Sequence, residues 1–158
     1  MQKILSVFVC AVLMCGAASA QSCKSDAKDK AAVVETMNAM FAAAAVDDFA
    51  KLNALVMPGF FAFDGGKRYE SMDALMTAVK AEQDQGVKLV WKVTKPQVTV
   101  ECDNAWIAYL NDGSVQMPGA SAPKPQQWLE SAVMKKQGGM WKLVFVHSTR
   151  VAMVPVSQ

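Results

Sequence analysis

From Gln126 to Ser148 two alternating apolar runs flank Gly138-Gly139. Paired glycines between such runs point to a two-residue hairpin turn, because the turn that suits twisted strands wants positive φ at both central positions. That turn sets Gln137 opposite Met140, and a regular ladder counted back from it sets Met134 opposite Leu143, Ala132 opposite Phe145 and Glu130 opposite His147. With Trp128 and Trp141 these residues form one largely apolar face for helices to cover, while Lys136 near the turn reaches out to water. The other face reads Ser131, Val133 and Lys135 against Val146, Val144 and Lys142, a mixture suited to solvent or a partner subunit. Directly opposed residues have Cβ atoms about 5 Å apart, so the Glu130 carboxylate and the sole imidazole, His147, are expected in contact. Either the two satisfy one another in a core, or they line a cavity, where the acid orients the imidazole for ligand binding or proton transfer. An odd-numbered turn would break the pairing.

The N-terminus carries Lys3, an apolar run from Ile4 to Met14 and the small-residue ending Ala18-Ser19-Ala20, which predict a secretory signal peptide over residues 1–20. No cysteine there has the flanking residues of a good lipid-attachment site, and no other run is apolar enough to span a membrane. A periplasmic or secreted protein is expected, with residues 21–158 as a single domain. The 16 basic and 14 acidic side chains nearly balance, which argues against a nucleic-acid or anionic-membrane partner. Two of the four cysteines, Cys23 and Cys102, lie beyond the signal segment. Export would permit a bridge between them; otherwise Cys102 is a small buried hydrophobe.

Asp26 and Asp29 resemble a capping pair ahead of a long helix whose stripe is Val33, Val34, Met37, Met40, Phe41 and Ala44. Asp47 or Asp48 can cap a second helix through Leu52 and Val56, ended by Pro58-Gly59. Phe60 to Phe63 reads as a short strand closed by Asp64-Gly65-Gly66, and a third helix starts near Ser71 and decays at Gln83–Gly86. The period then becomes two, through Val87–Thr94, Val98–Cys102 and Ala105–Leu110. A Gly-, Ser- and Pro-rich loop from Asn111 to Pro125 precedes the hairpin. Helices first and strands after predict an α+β fold, an antiparallel sheet with helices on one face.

This order, with Val46-Asp47-Asp48-Phe49, Phe60-Phe61-Ala62-Phe63-Asp64, Arg68-Tyr69-Glu70-Ser71 and the closing Gly139-Met140-Trp141-Lys142-Leu143-Val144-Phe145-Val146-His147-Ser148, resembles the SnoaL-like domains of the nuclear transport factor 2-like superfamily. The resemblance runs from about Ala31 to Arg150. It implies a cone, a curved sheet wrapped around the long first helix with an apolar cavity inside, and often a homodimer through the sheet. The superfamily also includes ketosteroid isomerase-like enzymes, and Asp64 falls roughly where their general base sits. Their oxyanion-donating tyrosine would fall near Met40, which cannot donate a hydrogen bond, and Glu130 is the nearest match to their acidic partner. Asp64 also reads simply as the first residue of a turn.

The candidate catalytic residues are therefore Asp64, Glu130 and His147. Trp91, Tyr109, Trp128 and Phe145 are candidate cavity-lining residues, as is Trp106, although aromatic side chains at strand spacing also make plain core. Arg150 could hold a ligand carboxylate, as similar association domains suggest, or be a solvated end. One histidine and scattered carboxylates offer no metal site, and no phosphate loop or nucleophile elbow is present. The expectation is an exported protein that binds a small molecule, without a cofactor, probably excluded alternatives being none: a cofactor-free isomerase or dehydratase working by general acid-base catalysis, and an assembly module, both remain open.

Overall fold

The structure, a computed structural model, describes residues 27–152. The expected signal segment, Cys23 and Asp26 lie outside them. The first helix, α1 (Ala27–Ala44), buries Val33, Met37, Met40 and Ala44, one stripe at helical spacing. Its Asp29 accepts from Lys136 Nζ at 2.6 Å and from Trp141 Nε1 at 3.3 Å. Lys136 thus points to α1 and not freely to water, and it holds the Asp29 carboxyl below the usual aspartate range. Helix α2 (Phe49–Ala54) is capped by Asp48, whose carboxylate accepts from Lys51 N at 2.9 Å.

Strand β1 (Val56–Asp64) begins before Pro58-Gly59, which therefore interrupt a strand and do not end a helix. The ladder skips there from the pair Val56–Leu143 to the pair Phe61–Phe145, and an irregularity of this kind accommodates a proline that cannot donate to the ladder. Gly65 and Gly66, at φ +57° and +75°, turn the chain into β2 (Lys67–Tyr69), a short strand absent from the sequence reading. Ser71 caps α3 (Met72–Asp84) by accepting from Ala74 N at 3.1 Å.

The remaining strands are β3 (Lys88–Val90), β4 (Val93–Glu101), β5 (Asn104–Gln116), β6 (Lys124–Gln137) and β7 (Met140–Arg150). The sheet order is β2-β1-β7-β6-β5-β3, with β4 also paired to β5; all pairs are antiparallel except β1 with β7. The curved sheet encloses α1 and α3, and the shared core runs from Met37 and Leu52 to Ile107, Met134 and Leu143. This is the expected cone. The loop expected over Asn111–Pro125 is shorter, 117–123, because pairing continues through Gly113–Gln126 and Val115–Lys124. Cys102 is exposed in the turn between β4 and β5, at φ +54°, and is disulfide-bonded; it is not a buried hydrophobe.

Gly138-Gly139 form the anticipated turn, both at positive φ, with Gln137 opposite Met140 and Met134 opposite Leu143. Beyond that point the regular count fails. Val133 pairs with Phe145, so Val144 is an extra residue in β7, a bulge. One inserted residue turns every later side chain of β7 to the other face. Glu130 is consequently opposite Ser148, and His147 is opposite Ser131. Val146 points inward and is buried, while Phe145 joins Phe61, Phe63 and His147 on the outer surface.

Candidate ligand-binding cavity

The concave face carries one polar row across four strands. Tyr109 on β5 is opposite Glu130 on β6, Glu130 is opposite Ser148 on β7, and Ser148 is opposite Asp64 on β1. The neighbouring row is Asn111, Trp128 and Arg150. Against these rows α1 sets Met40 and Phe41, α3 sets Met72, Met76 and Val79, and the β3 segment sets Leu89 and Trp91, enclosing a cavity of about 340 Å³.

Glu130 is the best-defined polar group on the floor of this cavity. It is only 8% exposed, and its oxygens accept from Ser148 Oγ at 2.9 Å and from Asn111 Nδ2 at 3.1 Å. Asn111 is completely buried, and its amide orientation is fixed because Oδ1 accepts from Lys92 N at 2.7 Å. Burial raises the pKa of Glu130 above the usual glutamate range; Tyr109, Ser148 and Asn111 pull it back, and the charge of Asp64 pushes it further up. The Tyr109 hydroxyl stands close to this carboxyl but is buried without a hydrogen-bond partner, and burial, then the Glu130 charge, holds its pKa well above that of an ordinary phenol.

Asp64 lines the same cavity at the end of β1, with Tyr69 of β2 and Glu82 of α3 nearby. Burial raises the Tyr69 pKa, and the charges of Asp64 and Glu82 add to the effect. Arg150 lies at the mouth, its guanidinium 5.9 Å from the centre of the Trp128 ring. Among the described residues, no three His, Cys, Asp or Glu side chains converge as metal ligands.

Of the expected site residues, Asp64, Trp91, Trp128, Glu130 and Arg150 line the cavity. His147 does not. It is exposed on the outer face, with Nε2 3.2 Å from Thr149 Oγ1 and its ring edge-on to Phe63, so the proposed contact with Glu130 is corrected to a contact between Glu130 and Ser148. Phe145 is outside for the same reason, the Val144 bulge. Tyr109 is core, packed edge-on against Phe41 behind the cavity wall, and Trp106 is exposed on the outer face. Ser148, Asn111 and Tyr69 were missed. Three consecutive apolar residues, Val144-Phe145-Val146, break strict alternation and were the available sign of a bulge.

A curved sheet closed by a long helix over a cavity with a polar floor defines a nuclear transport factor 2-like domain. The model of the SnoaL-like domain matches residues 33–153, and the chain belongs to that family. Similar solved structures include a candidate dehydratase of the nuclear transport factor 2-like family from Streptomyces avermitilis, at 17% identity and TM-score 0.66, covering 80% of this chain and 98% of that one. A ketosteroid isomerase-like protein from Erwinia carotovora atroseptica matches at 14% identity and TM-score 0.65, over 81% and 100% of the two chains. The hub homology domain of a calmodulin-dependent kinase II from Chlamydomonas reinhardtii matches at 21% identity and TM-score 0.65, over 78% and 98%. These likenesses establish the fold. A search of curated proteins finds no match.

Proposed function

We propose that the chain is an exported protein that binds a small, partly apolar molecule inside the cone, without a cofactor. The cavity carries this reading: about 340 Å³ is within the range of small-molecule sites, which are mostly apolar with a few placed polar groups. The test is calorimetric titration with 2-naphthol of the wild type and of Met76→Trp, whose indole would fill the space. Binding to the wild type that is lost in the variant supports the cavity as the site; equal binding to both refutes it.

A second reading has one observation in its favour. Asp64 and Glu130 line one cavity and feel each other's charge, an arrangement open to general acid-base chemistry such as isomerisation or dehydration. Met40 lines the cavity where a tyrosine donor would be wanted, so the electrostatic partner of such a base is missing there, and binding is the preferred function. Deuterium exchange at the α-carbons of 2-tetralone, followed by proton NMR, separates the two. Acceleration by the wild type that disappears in Asp64→Asn would establish the enzyme.

The outer face suits a second copy. Trp106, Val133, Phe145 and Phe61 form a continuous row across four strands, with Phe63 40% exposed beside them. Val133 belongs to this surface as expected from sequence, but Val146 does not. Light scattering should give twice the monomer mass; a monomer at high concentration removes the dimer, and with it any role as an assembly module.

A further inference from the structure

The charges that line the cavity are unequal. Asp64, Glu82 and Glu130 are acidic, and Arg150 is the single basic side chain in the lining. Arg150 is exposed, at the mouth, with its guanidinium over Trp128. The acids occupy the opposite side, around Tyr69, where no lysine or arginine lines the wall. Lys80 on the same helix is engaged by Asp47 and Asp84, and Arg68 by Glu70. Among the described residues, Asp64 and Glu82 make no ion pair or side-chain hydrogen bond, so their acceptor oxygens face the cavity and solvent uncommitted. A second feature is independent of the charge count. The Tyr109 hydroxyl, in a side chain more than nine-tenths buried, is set against Glu130 with no hydrogen-bond partner, leaving polar capacity unmet at the cavity floor.

The walls add to this. Phe41 and Trp91 stack at 5.7 Å and an interplanar angle of 22°, and Tyr69 presents a third ring. Aromatic surfaces beside carboxylates suit an organic cation, because the rings attract positive charge through their quadrupole while still burying an apolar body. The three acids line one space without converging as metal ligands, which fits a larger and more diffuse cation.

We propose that the cavity selects an organic amine in its protonated form, the ammonium held by Asp64 and Glu130 and the apolar body lying along Phe41, Met76 and Trp91. This rests on the small-molecule-binding reading and assigns the chemical class of the ligand. An ammonium has three donors, and two carboxyl groups from neighbouring positions of one polar row supply acceptors that the protein does not saturate. A carboxylate ligand would meet the acids of the floor and could be drawn only to Arg150 at the mouth.

The experiment uses three probes of one shape: tryptamine, 3-ethylindole and indole-3-acetate, titrated calorimetrically into the mature protein at pH 7. Tryptamine is expected to bind about tenfold tighter than either of the others, the scale of one charge-assisted hydrogen bond. Asp64→Asn and Glu130→Gln should each remove about that factor for tryptamine while leaving 3-ethylindole unaffected. Asp64→Asn lies at the cavity edge and keeps the test available if Glu130→Gln folds poorly. Tighter binding of 3-ethylindole or indole-3-acetate overturns the amine assignment and leaves the cavity reading intact. Absence of binding by all three at millimolar concentration overturns both.

Discussion

Gly113 shows how closely the cavity wall depends on backbone contact. A Cβ at this position of β5 would lie 1.9 Å from the Val90 carbonyl oxygen and 3.1 Å from Trp128 Cζ3. The first contact is with backbone, so no side-chain rotation relieves it, and β3 must retreat by roughly 1.5 Å to reach ordinary contact. β3 is held by only three residue pairs to β5, Lys88–Gln116, Leu89–Val115 and Val90–Ser114. Overpacking costs about 1–3 kcal/mol, and each ladder hydrogen bond lost adds about 1 kcal/mol. Gly113→Ala should therefore lose about 3 kcal/mol in urea unfolding followed by tryptophan fluorescence, the sum of those two effects. Because Leu89 and Trp91 line the cavity, its affinity for 2-naphthol should fall as well. An unfolding midpoint and affinity equal to the wild type would refute the close apposition of β3 and β5, and with it this wall of the cavity.

Glu130 is raised above its unfolded value of 4.5, so the folded state binds its proton more tightly. Its stabilising contribution is full below the unfolded pKa and is lost as pH rises through the folded one; Glu130→Gln should gain stability relative to the wild type between pH 4 and pH 7, read from urea midpoints. Gln fits the site, its carbonyl accepting from Asn111 and its amide donating to Ser148. Asp112 behaves in the opposite sense: hydrogen bonds from Thr94 and Gln127 lower its pKa, so the stability it contributes is present above the unfolded aspartate range and lost as pH falls through the folded pKa. Asp112→Asn should accordingly flatten the acid limb of the unfolding curve. His147→Ala, on the outer face, should leave 2-naphthol affinity unchanged in calorimetry and weaken the dimer in light scattering; a loss of affinity with no change in mass would put the imidazole back in the cavity.

The helical half of the fold was legible because its information is local. The stripe Val33, Met37, Met40 and Ala44 and the caps Asp48 and Ser71 are each set within a few residues. The glycine turn of the last hairpin was legible for the same reason. Register was not, since it accumulates along the strand and one added residue reverses every face beyond it. Val144 separates Glu130–His147, the pair counted from a regular ladder, from Glu130–Ser148, the pair that forms. Strand β2 was too short to show a period, and the ends of the Asn111–Pro125 segment looked like loop because pairing partners far away in sequence made them strand. Asp64, Trp91, Trp128 and Arg150 were found because their own positions did not depend on that count.

The account centres on Glu130 as a buried acid on the floor of an amine-binding cavity. Carbon-13 NMR of labelled glutamate carboxyls, with Glu130 assigned by its absence in Glu130→Gln, follows that group directly through a pH titration with and without tryptamine. The midpoint should lie above 4.5 in the free protein and move down when tryptamine is bound. A midpoint in the ordinary glutamate range, indifferent to tryptamine, would contradict both the burial and the contact.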